Sequence, residues 1–279
     1  MGLILIVALV IGGIFLLVLT FRIMNFSKVV AIMKKHSVVT FGERGSGKDV
    51  LFSNVVVARK KPYCSNLNYC EFSNKERKPF HYPFEPIYIK LGGNKFRNFA
   101  DNNIIPYSYP LPDGVDYYIS DAGVYFPSTE DSDLNKDYPE VPMFQALLRQ
   151  IGDAEFHCNL QNIERLWKKI REQSTRYILC LDCKVSKRGW VKQKIRIYDR
   201  YESAVNKVEP LDLPMPMLGK QVKTDVKTAK ANYRAKYGRI YELKLFYKNK
   251  SAFDSRRFKR MLEQGTQKVE KDIKVIKVK

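Results

Sequence analysis

The sequence predicts an α/β fold with a mostly parallel sheet, preceded by an N-terminal transmembrane helix. Three observations predict it. Residues 2–21, GLILIVALVIGGIFLLVLTF, hold no charge and one hydroxyl. From residue 36 onward, short strand-like apolar runs alternate with helical ones, the pattern of a parallel sheet with helices on its faces. Between the first such strand and the first such helix lies a glycine-rich turn ending in lysine, GERGSGK at 42–48.

The apolar run comes first. Twenty residues at helical rise cover about 30 Å, the thickness of a bilayer's hydrocarbon core. No basic residue precedes it, and it is longer than the apolar core of a cleaved signal peptide. The expectation is an uncleaved single-pass anchor over 1–24. Arg22, Lys28, Lys34 and Lys35 follow it, so a basic juxtamembrane segment over 25–36 puts the rest of the chain in the cytoplasm and the N-terminus outside. Gly2 does not make a myristoylation signal, because position 6 is Ile.

The core is expected over 37–206. HSVVTF reads as a buried strand and DVLFSNVVVARKK as the helix after it, closed by Pro62. YCSNL, PIYIKL, VDYYISD, AEFHCNLQ and TRYILCLDC read as further strands. VPMFQALLRQIGD and IERLWKKIREQ read as helices, and 127–140 as an acidic loop. WVKQKIRIYDR alternates apolar and polar residues, as one arm of a hairpin does. PLDLPMP forms a linker or loop. A basic C-terminal extension over 207–279 then holds a basic helix, the strand YELKLFY and a second basic helix.

Charge narrows the partners. The chain carries 49 Lys and Arg against 29 Asp and Glu, a formal net of +20. From Gly219 to Lys279 the count is 19 against 6, so the excess is concentrated near the end. Such a balance points to nucleic acid or an anionic membrane surface. Five cysteines show no disulfide framework, which suits a reducing compartment. Cys180 and Cys183 form a C-x-x-C with His157 and Cys158 upstream. They lie in apolar strand-like runs, where cysteine behaves as a small core residue rather than a zinc ligand. The sequence holds no H-E-x-x-H, EF-hand or G-x-S-x-G pattern, and its three histidines argue against His-based catalysis.

The turn at 42–48 fits G-x-x-x-x-G-K, a phosphate-binding loop. Gly42, Gly45, Ser46 and Gly47 would present backbone N–H groups to phosphate oxygens at a helix N-terminus. Lys48 would reach the β- and γ-phosphates of ATP. The next residue is Asp49, where such loops carry Ser or Thr as a neutral Mg2+ ligand. A carboxylate also binds Mg2+, yet it repels nucleotide when the metal is absent. An acid here also suits the first turn of a helix, as a cap. The strand DYYISD supplies a second acid, Asp121, to hold Mg2+ through water. Translocating ATPases usually carry Glu next, as the base that activates water. Here that place holds Ala122, with Glu130 and Asp131 further along.

The order of these motifs resembles that of the zonula occludens toxin-like (Zot-like) ATPases, which include the gene I assembly protein of filamentous phages. GERGSGK before YCSNLNY, the acid-ended strand YYISDAGVYF, the run from MFQALLRQIG through FHCNLQ to RYILC, and the segment FYKNKSAFDS are similar to that group's motifs in the same order. The resemblance covers roughly residues 37–260. It implies a P-loop NTPase fold of the RecA/FtsK-HerA type. It makes Gln161 a γ-phosphate sensor, on a strand between those bearing the loop and Asp121. It makes Arg171 the arginine that completes a neighbour's site, with Arg165 and Arg176 as rivals. The phage assembly proteins of that group place the membrane span after the ATPase domain, whereas here it comes first, and no large extracytoplasmic domain is expected.

The implied function is a membrane-anchored ATPase, with ATP and Mg2+, driving filamentous-phage assembly and export of single-stranded DNA virions. It would sit in the host's inner membrane as a homo-oligomeric ring, a hexamer. Single-stranded DNA or phage nucleoprotein, coat proteins and anionic lipid are its expected partners. Two alternatives stand beside it. The deviant Asp49 and Ala122 suit a weakened or non-hydrolysing scaffold subunit. A conjugation- or segregation-type DNA translocase would share the core.

Overall fold

The computed structural model describes residues 2–69, 79–83, 115–128, 154–211 and 220–250. The expected strand PIYIKL, most of the acidic loop with Glu130 and Asp131, the helix VPMFQALLRQIGD, Cys70, most of the proline-rich segment and the tail from Ser251 lie outside the described residues.

The chain opens with α1 (Gly2–Lys35), a single helix of 34 residues. It is long and apolar enough to cross a membrane, and its side chains from Ile6 to Val18 are exposed. The helix does not stop where the apolar run does. Its C-terminal part, expected as a juxtamembrane segment, turns Val29 and Met33 fully into the core. Only His36 and Ser37 separate it from β1 (Val38–Phe41). Then follow α2 (Lys48–Arg59), β2 (Tyr63–Ser65), β3 (His81–Pro83), β4 (Asp116–Ile119), the one-turn α3 (Ala122–Tyr125) and β5 (Phe156–Leu160).

The helix expected at IERLWKKIREQ is two pieces, a 3-10 turn at Ile163–Arg165 and α4 (Lys168–Gln173). Leu166 and Trp167 between them are fully buried, so core packing overrides the local propensity. The chain continues through β6 (Arg176–Val185), β7 (Trp190–Tyr198), α5 (Tyr201–Val205), α6 (Lys220–Tyr237) and β8 (Ile240–Lys248).

Among the described residues these strands form one sheet in the order β3-β2-β4-β5-β1-β6-β7-β8. The first six are parallel; β7 and β8 add antiparallel. β8, set apart by sequence as part of the C-terminal extension, pairs with β7 over nine residues and belongs to the core sheet. β5 lies between β1 and β4.

Two apolar layers cover the sheet. On one face, α1 and α2 bring Val29, Met33, Leu51, Phe52 and Val55 against Val38, Ile178, Ile195, Leu245 and Tyr247. On the other, Ala122, Ile163, Trp167, Ile170 and Ala204 cover Val39, Ile119, Cys158, Leu160 and Leu179. Cys158 and Cys180 thus face opposite layers, as small core residues. Burial pushes the Cys180 thiol up to about 12.

The edge of the sheet at the strand N-termini is held by buried charge. Arg59, at the end of α2, pairs with Asp116 at 2.8 Å and donates to the Met33 carbonyl at 2.7 Å. That carbonyl is in the last turn of α1, where no intrahelical partner exists. Lys61 and the Glu155 amide complete the shell around Asp116.

Candidate nucleotide site

The opposite edge, at the C-terminal ends of the parallel strands, carries the candidate residues. The loop leaving β1 is possible because of glycine. Gly42 has φ 145° and Gly47 φ 85°, conformations that L side chains rarely adopt. A Cβ on Gly42 would lie 2.4 Å from the Cys180 carbonyl oxygen, and one on Gly47 2.5 Å from the Cys183 side chain. The loop therefore wraps tightly beside β6. Gly45, also at positive φ, occupies the outer turn with open space around it.

Lys48 is nearly buried, and its Nζ donates to the carbonyls of Gly42 and Glu43, both at 2.9 Å. The ammonium is thus held inside the curve of the loop. Ser46 Oγ is buried in the same loop without a hydrogen-bond partner. Gly47 caps α2 with no side chain to offer, so the first amides of a 12-residue helix face the loop. An orphaned hydroxyl, a helix N-terminus and an enclosed ammonium fit a polyphosphate. Strand, loop and helix, with one strand inserted before the acid-bearing β4, decide the fold.

It is a P-loop NTPase fold.

The solved structures to which this chain is similar include the N-terminal domain of zonular occludens toxin from Neisseria meningitidis (14% identity, TM-score 0.41, covering 68% of this chain and 97% of that one). They also include the genome packaging NTPase of Sulfolobus turreted icosahedral virus 2 in complex with AMPPCP (15% identity, TM-score 0.39, 65% and 99%). A third is EssC, ATPases 2 and 3, from Geobacillus thermodenitrificans (10% identity, TM-score 0.39, 88% and 45%). The first belongs to the group whose motifs this sequence resembles. Likenesses of this size carry no weight for activity, and the fold assignment rests on the strand order and the P-loop. No family model and no curated protein match the sequence.

Asp49 does not cap its helix. Its Oδ1 accepts from Ser120 Oγ and from Asn159 Nδ2, both at 2.8 Å. Ser120 ends β4 and Asn159 lies in β5, so one carboxylate oxygen ties the P-loop helix to two neighbouring strands. Asn159 Oδ1 accepts from the Asp121 amide at 3.1 Å, which fixes the next residue as well. Asn66, just after β2, exchanges two hydrogen bonds with the Ser120 backbone (2.8 and 2.9 Å) and extends the ladder beyond the strand. That is the physical role of the Asn in YCSNL.

Asp121 sits in the left-handed region, φ 50°, at the start of α3. Partial burial and the Asp49 carboxylate push its carboxyl above the ordinary range, against the pull of Lys48 and Arg44. Two carboxylates that repel beside a lysine and a P-loop fit a divalent cation: Asp49 retains Oδ2, and Asp121, though partly covered, stays open to solvent. Ala122, where a base is usual, is fully buried with Ile119, Phe126, Leu160 and Ile163. A carboxylate at this position would lie in apolar core.

Gln161 follows β5 directly. Its carbonyl accepts from the Gly42 amide at 3.3 Å, and its side chain is exposed at the P-loop edge. Arg171 is not brought to this group. It lies near the opposite edge, where Thr175 N donates to the Ser37 carbonyl. Arg171 Nη1 donates to the Tyr201 hydroxyl, and its guanidinium carbon stands 5.0 Å from that ring's centre. Arg176 begins β6 at the same far edge. Arg165 is exposed and follows β5 on the P-loop edge, its carbonyl beside Gly123.

Beyond Asn66, Ser120 and Asn159, a further residue that sequence reasoning does not single out holds the loop. Gln193 is buried in β7, and its Nε2 donates to the carbonyls of Ser46 and Gly47, both at 3.1 Å. Its Oε1 accepts from the Tyr247 hydroxyl at 2.8 Å. The Tyr247 ring stacks on Phe26 of α1, 4.3 Å between centroids. The signal was in WVKQKIRIY: Val191, Gln193, Ile195 and Ile197 share one face, and a glutamine interrupts an apolar stripe.

Proposed function

We propose that this chain is a membrane-anchored, Zot-like ATPase that drives filamentous-phage assembly and export of single-stranded DNA virions, acting as a ring, a hexamer, in the host's inner membrane. The observation that carries the reading is the convergence of Lys48, Asp49, Asp121 and Gln161 on one edge of the sheet, around a loop that fits ATP. Lys48 and the α2 amides would hold phosphate oxygens. Asp49 and Asp121 would hold Mg2+, which when bound neutralises the β- and γ-phosphate charge. Gln161 would contact the γ-phosphate. Arg165, exposed on the P-loop edge, is better placed than Arg171 to complete a neighbour's site.

A DNA contact is supported at the far edge. Lys230, Arg234 and Arg239 line a cleft of about 270 Å³ with Tyr233 and Tyr241. Cations for phosphates and rings for stacked bases are the means by which single strands are held without sequence preference. Three such cations give a log–log salt slope of about −2.

The second reading, a non-hydrolysing scaffold subunit, is favoured by the burial of Ala122. The full chain in nanodiscs, with ring formation verified, separates the two. The motor reading expects Mg2+-dependent ATP turnover that single-stranded DNA stimulates, that Lys48→Ala removes, and that Asp121→Asn lowers about tenfold or more. ATP binding without turnover, with DNA present, would replace the motor by the scaffold. A fragment beginning at Met33 is unsuitable for this test, because it strips Phe26 and Val29 from the packed face.

A further inference from the structure

α1 ends beside the N-terminus of β1, at the edge opposite the P-loop. Nine residues earlier Phe26 stacks on Tyr247, next to the end of β8. β8 runs in the same direction as β6 and β1, since two antiparallel pairings separate it from β6. The apolar part of α1 therefore leaves the domain on the P-loop side. The turn between β6 and β7 projects on that same side, with Trp190 opposite Lys248 and Val191 opposite Tyr247.

Rise sets the heights. From Phe26 back to the end of the apolar run at Phe21 is about 8 Å of helix. From Val191, level with Tyr247, to Arg188 at the hairpin tip is about 10 Å of strand. The tip thus reaches the level at which the apolar helix begins. Its composition is that of a membrane interface. Lys184, Lys187, Arg188 and Lys192 are all exposed, with no acid between them. Trp190 is 37% exposed and stacks on Phe246 at 4.7 Å, and Val185 is 51% exposed. Lys248 donates to the Arg188 carbonyl and braces the turn. Tryptophan beside lysine and arginine is the pairing that settles in anionic headgroups.

We propose that the β6–β7 hairpin docks on the anionic lipid headgroups of the membrane that α1 crosses, as a second foot of the domain. This rests on reading α1 as a membrane span. The level of the tip and its exposed apolar side chains favour lipid over nucleic acid, for which the far-edge cleft is the better fit.

Trp190 is itself the probe. The only other tryptophan, Trp167, is fully buried. The full chain is reconstituted in vesicles of equimolar phosphatidylcholine and phosphatidylglycerol containing lipid brominated near the headgroup. The Trp190 signal is taken as wild type minus Trp190→Phe. Quenching by the brominated lipid is expected, with protection from aqueous iodide. Lys187→Ala and Arg188→Ala should each lower the docked-to-free ratio about fivefold, with unchanged thermal unfolding as the check on folding. Iodide quenching without lipid quenching, in a chain that resists carbonate extraction, overturns the docking alone. Release by carbonate overturns the span reading and the docking with it. Quenching by a single-stranded oligonucleotide in place of lipid overturns the proposal and assigns the hairpin to DNA.

Discussion

At the scale of single residues, Gln193 shows how the P-loop is held from outside itself. Its amide donates to two loop carbonyls and accepts from Tyr247, all in buried surroundings. Gln193→Leu keeps the volume and leaves those groups without partners, at about 1–3 kcal/mol. Calorimetry should find a loss of stability in that range together with weaker ATP binding, whereas a purely structural role would leave the affinity of the folded protein unchanged. Asp49 illustrates the limit of sequence reading. The letter was visibly odd, and its acid was legible as a metal ligand or a cap. Its hydrogen bonds to Ser120 and Asn159 were not, because three separate elements supply them. Ala122 was legible as a missing base, but that the position faces apolar core followed only from the fold.

At the scale of elements, periodicity did well where one rule governs. The buried strand and the helix that flank the glycine loop, and an alternating hairpin arm, follow from side-chain spacing alone. Periodicity failed at IERLWKKIREQ, where burial of Leu166 and Trp167 breaks the helix, and at α1, where one helix carries both an exposed apolar half and a half packed into the core. The junction of α1, α2 and β4 depends on Asp116, whose side chain is 1% exposed against an Arg59 that is 5% exposed. Asp116→Ala would leave the buried Arg59 without its ion-pair partner, at about 3 kcal/mol, with the Met33 carbonyl still accepting from it. Denaturant unfolding should show that loss, and because typical domains have about 5–15 kcal/mol in hand, the variant should be close to unfolding at 37 °C.

At the scale of the whole molecule, acid should loosen the fold before carboxylates titrate. Burial, with Arg59 and Lys61 nearby, holds the His157 imidazole well below its ordinary value. Burial also lowers His81. The unfolded chain therefore binds protons that the folded chain refuses. Stability is full above about pH 6.5 and falls as pH drops below it, by up to about 1.4 kcal/mol per pH unit from the fully buried His157, with a smaller part from the half-buried His81. Thermal melts at pH 7.5 and 5.5 should show this fall, and His157→Phe should make it shallower.

The unbroken course of α1 bears on mechanics. Anything that pulls on a polymer must push back on something, and a motor on a slack tether wastes its stroke taking up the slack. Here two residues join α1 to the P-loop strand, and the Phe26–Tyr247 stack seats the same helix against the sheet. Under the proposed function, recoil from each stroke would pass straight into the bilayer, and the nucleotide edge would face the membrane through which the product leaves.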